Sequence, residues 1–322
     1  MIDYTPYKIK SWIDIRKLNK FAITRNENAV QFLENNPEFI DWNQISCNKN
    51  AFNFIEENLE KIVFLKKLNY NENAVSILEK NKELINWFIL SCNENAIYLL
   101  EDNLDKVNWV WLSRNINATP ILKKYKEKIN WYWFSLVCND EEFLRENIDE
   151  IYWCMLSLNP NAINILKENK VRINWKNLSE NINAISIIEE NLSNIDWDNL
   201  NKNVNAVHIL EKNPDKINWK LISENKNAIH LIEEKIKLNK EDIDWYHLCS
   251  NENAIHLLED NKERINWYKL SLNKGIFNID YKKLDEKINI FKEELMQKCL
   301  HPSRLQYFLY KYNYDIGEDS YF

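Results

Sequence analysis

Turn-forming residues are nearly missing from this chain, which has 2 glycines and 6 prolines in 322 residues. Two glycines cannot build phosphate-cradling loops or strained nucleophile turns, and no G-x-S-x-G, Walker or dinucleotide pattern is found. No apolar run approaches the roughly 18 residues that a membrane-spanning helix needs. The opening MIDYTPYKIKSW lacks a signal peptide's apolar stretch, so secretion is not expected. The six cysteines, at 47, 92, 138, 154, 249 and 299, include no CxxC pair. Reduced thiols in a cytosolic setting fit that pattern better than a disulfide framework or a zinc site. A basic stripe is also missing: net charge is −7, with lysine and glutamate mixed throughout, which argues against a nucleic-acid partner. Carboxylates abound, but nothing in their context would separate their pKa values for acid–base work. A non-enzymatic protein without cofactor or metal is the expectation.

What fills the gap is asparagine, about fifty of them. Asparagine caps helices and tolerates turn conformations, so it is this chain's turn residue. The tryptophans set a period. From Trp87 to Trp219 every step is 22 residues, through Trp109, Trp131, Trp153, Trp175 and Trp197. Trp42 to Trp87 spans two units plus one residue, with Phe64 expected as the anchor between them. Trp219 to Trp245 carries a four-residue insertion around residues 235–240. Such recurrence marks a repeat architecture.

The unit reads W-x-x-L-S-x-N-x-N-A-I-x-L-L-E-x-N-x-x-K-I-N. Asn or Asp before most anchors (Asn86, Asn108, Asn130, Asp196) predicts an N-cap and a short first helix. The second Asn (Asn95, Asn117, Asn161, Asn183, Asn205, Asn227, Asn253) is expected to cap a second helix beginning at Ala. There the apolar spacing of Ala96, Ile97, Leu99 and Leu100 describes a helical face. The later Asn (Asn103, Asn169, Asn191, Asn213) is expected to close it. A leucine-rich repeat has a similar period but needs an L-x-L strand, and the stretch after Leu90 supplies no such alternation.

The reading is therefore all-α: an α-solenoid of about eleven helix-turn-helix units, stacked because no single unit can bury its apolar side alone. The expected organisation is an N-terminal cap and half-repeat over 1–41, repeats over 42–274, and a C-terminal cap over 275–322. With helix layers about 8–10 Å apart, eleven open units would trace a curved rod of roughly 100 Å. The copy opening at Trp131 is degenerate, with Val137 for Asn and Asp140 for Ala, which predicts a distorted unit without a domain boundary.

The N-x-N-A-I-x-L-L-E-x-N-x-x-K-I-N-W repeat is followed by the I-F-x-I-D-Y segment Ile276–Tyr281 and by His301-Pro302-Ser303-Arg304. Together these resemble the tandem-repeat proteins of giant DNA viruses of the mimivirus group. The resemblance covers nearly the whole chain. It implies a host-cytoplasmic or virion setting and no chemistry.

Positions that vary within a repeat register are where binding is encoded. Two residues after the anchor, Ile89, Trp111, Trp133 and Met155 succeed one another, flanked by Phe88, Val110 and Tyr132. Stacking would align them into an aromatic stripe, either a protein-binding patch or a widened core. A second row holds His208, His230 and His256, each with a glutamate three residues on (Glu211, Glu233, Glu259) on the same helix face. Layers about 8–10 Å apart cannot share one zinc, so a polar binding face is the expectation. The wider glutamate row (Glu56, Glu79, Glu101, Glu189) could dock a basic partner. His301–Arg304 reads as part of a terminal cap. The function expected is a protein-interaction scaffold, with virion-type self-assembly or RNA binding by helical repeats as alternatives.

Overall fold

The computed structural model describes residues 5–62, 65–299, 304 and 311. Among the described residues the chain is all-α apart from one short pair of strands, and its units are packed in sequence around one continuous hydrophobic core. The unit opening at Trp87 shows why these residues fold this way. Asn86 Oδ1 accepts the Ile89 N–H at 3.3 Å and starts the first helix, Trp87–Leu90. Ser91 ends it: its Oγ donates to Trp87 O at 2.6 Å and accepts the Asn108 N–H at 2.9 Å, tying in the start of the next unit. A 3-10 turn, Glu94–Ala96, leads into the second helix, Ile97–Glu101. Asn103 closes that helix by donating to Leu99 O at 2.9 Å. The Lys106 ammonium then lies 5.0 Å from the Trp87 ring, so the half-buried anchor is roofed by a cation of its own unit.

The second helix is not capped as expected. The cap is the first Asn of the pair, two residues earlier. Asn93 Oδ1 accepts the Asn95 N–H at 3.1 Å, while its buried Nδ2 donates to Asn69 O and Asn71 O of the preceding unit, at 3.1 and 3.3 Å. One amide group thus starts a turn and bolts two units together. The second Asn instead donates outward: Asn95 Nδ2 meets Glu72 O at 3.1 Å. Beneath each bolt sits the repeat alanine, completely buried at Ala96, Ala118, Ala184 and Ala206, where a larger side chain would push the units apart. Phe64 lies outside the described residues. Counting back six positions from the bolt Asn71, as from Asn93 to Trp87, gives Leu65 as the anchor station of its unit.

The open, capped rod does not form. The array closes on itself into a ring. Asn48 donates to Thr24 O and Asn26 O, and Asn26 in turn donates to Ser271 O and Asn273 O, both at 3.0 Å. Residues 19–41, expected as part of a cap, are therefore an ordinary unit stacked on the last one. Asn19 N–H reaches Ser271 Oγ at 2.9 Å, Phe21 stacks on Tyr268 with centroids 6.4 Å apart, and Lys274 pairs with Glu27. Around the circle the bolt stations are Asn26, Asn48, Asn71, Asn93, Asn115, Cys138, Asn159, Asn181, Asn203, Asn225, Asn251 and Asn273, twelve in all.

The twelfth unit is assembled from both ends of the chain. After Asn273 no second helix follows. Strand β2 (Phe277–Ile279) pairs antiparallel with β1 (Tyr7–Ile9), with Tyr7 opposite Ile279. Lys10 N–H donates to Ile276 O at 2.9 Å and Asp280 N–H to Pro6 O at 2.8 Å. The N-terminal segment then supplies the closing 3-10 turn Ile15–Lys17, and Lys17 sits 5.3 Å over Trp267, as Lys61 sits 5.2 Å over Trp42. Beyond β2 a separate helix, Tyr281–Cys299, leaves the ring.

Candidate functional site

Successive first helices pack closely, whereas second helices pack chiefly within their own units. In a closed ring the layer with the shorter spacing lies nearer the axis, so the first helices form the inner wall and the second helices the rim. Twelve units at about 8–10 Å put the first-helix axes roughly 15–19 Å from the centre; allowing each helix a radius of about 5–6 Å leaves an opening on the order of 20 Å. Most residues one, two and five after an anchor are exposed or half-buried on this wall.

The predicted stripe lies here, and the structure divides it. Phe88 and Tyr132 are exposed (52% and 39%), as is Val110. Ile89, Trp111 and Trp133 are half-buried. Met155 is buried, at 7% exposure, and so offers little surface to a partner. The rings interlock across units, with Phe88 against Trp111 at 5.5 Å and Tyr132 against Tyr152 at 5.6 Å, and within one unit, with Tyr132 against Trp133 at 5.0 Å. Sequence reading missed two members of this cluster. Tyr152, 51% exposed, takes the position just before the anchor that Asn or Asp usually holds. Arg114, five after its anchor, lays its guanidinium 5.0 Å from the Trp111 ring and 4.4 Å from the Trp133 ring. The signal for Arg114 was present in its register position, which the stripe argument did not reach.

This cluster straddles the one junction that lacks its bolt. With Val137 in the asparagine register, the first helix Trp131–Val137 runs a turn longer than in its neighbours and Cys138 takes the station. The carbonyls of Ser113 and Asn115 therefore lack the side-chain amide donor that the other junctions supply. The buried Cys138 thiol is pushed up to about 11 by desolvation, which keeps it protonated and unreactive at neutral pH. Asp140 restarts the unit, accepting the Phe143 N–H at 2.9 Å and pairing with Lys123. Clefts of about 500 and 530 Å³ open at the two edges of this seam, one lined by Asn117, Lys123 and Asp140, the other by Lys126, Trp131 and Glu150.

The histidine row is on the rim, and its glutamate partners come from the neighbouring unit. Each imidazole bonds the glutamate of the preceding unit instead of the one on its own helix: His208 to Glu189 at 3.0 Å, His230 to Glu211 at 2.7 Å, and His256 to Glu233 at 2.6 Å. Glu259, the last glutamate of the row, is exposed. Glu56 is likewise taken up by Lys80 of the next unit. The rim's charges are thus largely occupied in tying units together. Among the described residues no group of three His, Cys, Asp or Glu is placed to hold a metal ion. The described cysteines 47, 92, 138, 154 and 249 are free thiols, and no described helix is long and apolar enough to cross a membrane. Residues 301–303 of the His-Pro-Ser-Arg segment lie outside the described residues.

Comparison with models of known protein families, with curated proteins and with solved structures found no match.

Proposed function

We propose that this ring is a non-enzymatic scaffold that holds a protein partner on its inner wall, at the units opening at Trp87 to Trp153. One observation carries the reading: exposed Phe88, Tyr132 and Tyr152 gather around Trp111, Arg114 and Trp133, whereas the next three units carry Lys176, Asp198 and Lys220 one residue after their anchors. Exposed Trp, Tyr and Arg clusters are the composition of interface hot spots. A giant-virus protein working in the host cytoplasm or virion is the setting proposed from the repeat's resemblance alone. Self-assembly of rods, the other class of function, loses support from the geometry, because closure uses up both end surfaces by which rods would join.

Affinity capture from the source cells followed by mass spectrometry tests this reading. The Trp111→Ala/Trp133→Ala double variant should lose the partner that the wild type retains, with an unchanged circular dichroism spectrum. An identical partner set for both proteins removes the site.

A further inference from the structure

We infer that the aromatic arc of the inner wall receives an extended peptide segment carrying an Asp or Glu side chain between apolar residues, with Arg114 as the carboxylate's partner. The inference deepens the scaffold reading and rests on it. In the four units opening at Trp87, Trp109, Trp131 and Trp153, the residues one, two and five after the anchor include a single charged side chain, Arg114. In the three units that follow, the same positions carry Lys176, Glu180, Asp198, Lys202, Lys220 and Glu224. A lone cation in an apolar arc, on a chain of net charge −7, is a specific choice of sign.

The state of that cation points to its ligand. At the edge of the wall Lys49 pairs with Glu72 and Lys274 with Glu27. Arg114 forms no ion pair among the described residues and rests on two indoles instead. These are cation–π contacts and not hydrogen bonds, so the guanidinium keeps its N–H donors, the fork that binds a carboxylate through two parallel hydrogen bonds.

The surroundings select a peptide over other anions. Phe88, Val110 and Tyr132 flank Arg114 along the wall and need apolar side chains to cover them, while one cation answers one carboxylate. A nucleic acid strand would bring a phosphate at every step, against a single cation and a net negative protein. An opening on the order of 20 Å, from layers about 8–10 Å apart, admits an extended chain.

The test is selection of a random-peptide display library, with both peptide ends blocked, against the full-length chain and against Arg114→Glu. Wild type should enrich peptides with one fixed Asp or Glu beside aromatic or large aliphatic residues. Synthetic versions should bind at least tenfold more weakly to Arg114→Glu, and equally weakly when their acid is changed to Asn or Gln. The Arg114→Glu protein should enrich Lys or Arg at that position instead. Arg114→Lys, which keeps the charge without the planar fork, should fall between and melt at the wild-type temperature, separating a binding loss from misfolding. Failure to enrich any peptide, winners without a fixed acid, or affinity indifferent to Arg114→Glu each overturn the inference. If such winners still require Trp111 and Trp133, the scaffold reading survives without its acidic ligand; a partner set indifferent to both tryptophans removes the two together.

Discussion

At the scale of single residues, the two asparagines of each N-x-N pair look alike in sequence and do different work. Asn181 is buried: its Oδ1 accepts the Asn183 N–H, and its Nδ2 donates to Ser157 O and Asn159 O, both at 3.0 Å. Asn183 is exposed and makes one outward bond, to Pro160 O. Leaving a buried group unsatisfied costs about 1–3 kcal/mol, so Asn181→Ala should lose roughly 2–4 kcal/mol, and Asn183→Ala under about 1. Asn181→Asp is isosteric yet should be the worst of the three, because it turns a carboxylate toward two carbonyl oxygens. Urea denaturation of the three variants checks the order; Asp tolerated as well as Ala would refute the bolt. That Asn is a capping residue was legible, since a cap is a contact within three residues. The bolt was not, because its acceptors lie 22–24 residues back.

At the scale of elements, helices of four to seven residues are too short to persist alone, and each survives through its caps and neighbours. The second helix of the degenerate unit, Glu141–Glu146, shows what a cap contributes when the bolt is missing. Hydrogen bonding from Lys123, then from the Phe143 N–H, holds the Asp140 carboxyl below the usual carboxylate range. A carboxyl with a depressed folded pKa stabilises the protein above its unfolded value, near 3.9, and loses that contribution as pH falls through the lower folded value. Asp140→Asn keeps an acceptor for the cap and loses the ion pair with partly exposed Lys123, a deficit of at most about 1 kcal/mol at pH 7. Its melting temperature should therefore converge on wild type as pH drops from about 5 to 2. Asp140→Ala loses the cap as well, about 1 kcal/mol more at pH 7. A constant gap between Asp140→Asn and wild type across that range would contradict this account. The insertion after Trp219 acts at the same scale: it lengthens the second helix to Ile229–Asn239, and the Trp245 indole N–H donates to Lys240 O at 3.0 Å, burying an anchor that is half-exposed in the other described units.

At the scale of the whole molecule, closure makes residues 5–18 part of the last unit. Removing residues 1–18 takes away β1, the turn Ile15–Lys17 and the Lys17 roof over Trp267, and bares the seam between Asn26 and Asn273. The truncated chain should open, with a larger radius of gyration by X-ray scattering and a lower urea midpoint, while keeping most of its helical circular dichroism. A truncated chain of wild-type radius would show that the ring holds without its composite unit.

Period, helix-making pattern, anchor and cap chemistry are properties of contiguous residues, and the sequence alone determined them: Asn86 before Trp87, Asn103 after Leu99, and the necessity of stacking. Which side chains of the aromatic register stay in solvent was decided by packing, which buried Met155 and left Phe88 and Tyr132 exposed. Closure was decided there too. Twelve units that each turn by about 30° meet end to end, and that angle follows from the difference in spacing between inner and outer helices, a quantity set by how neighbouring units fit together and written in no single one of them.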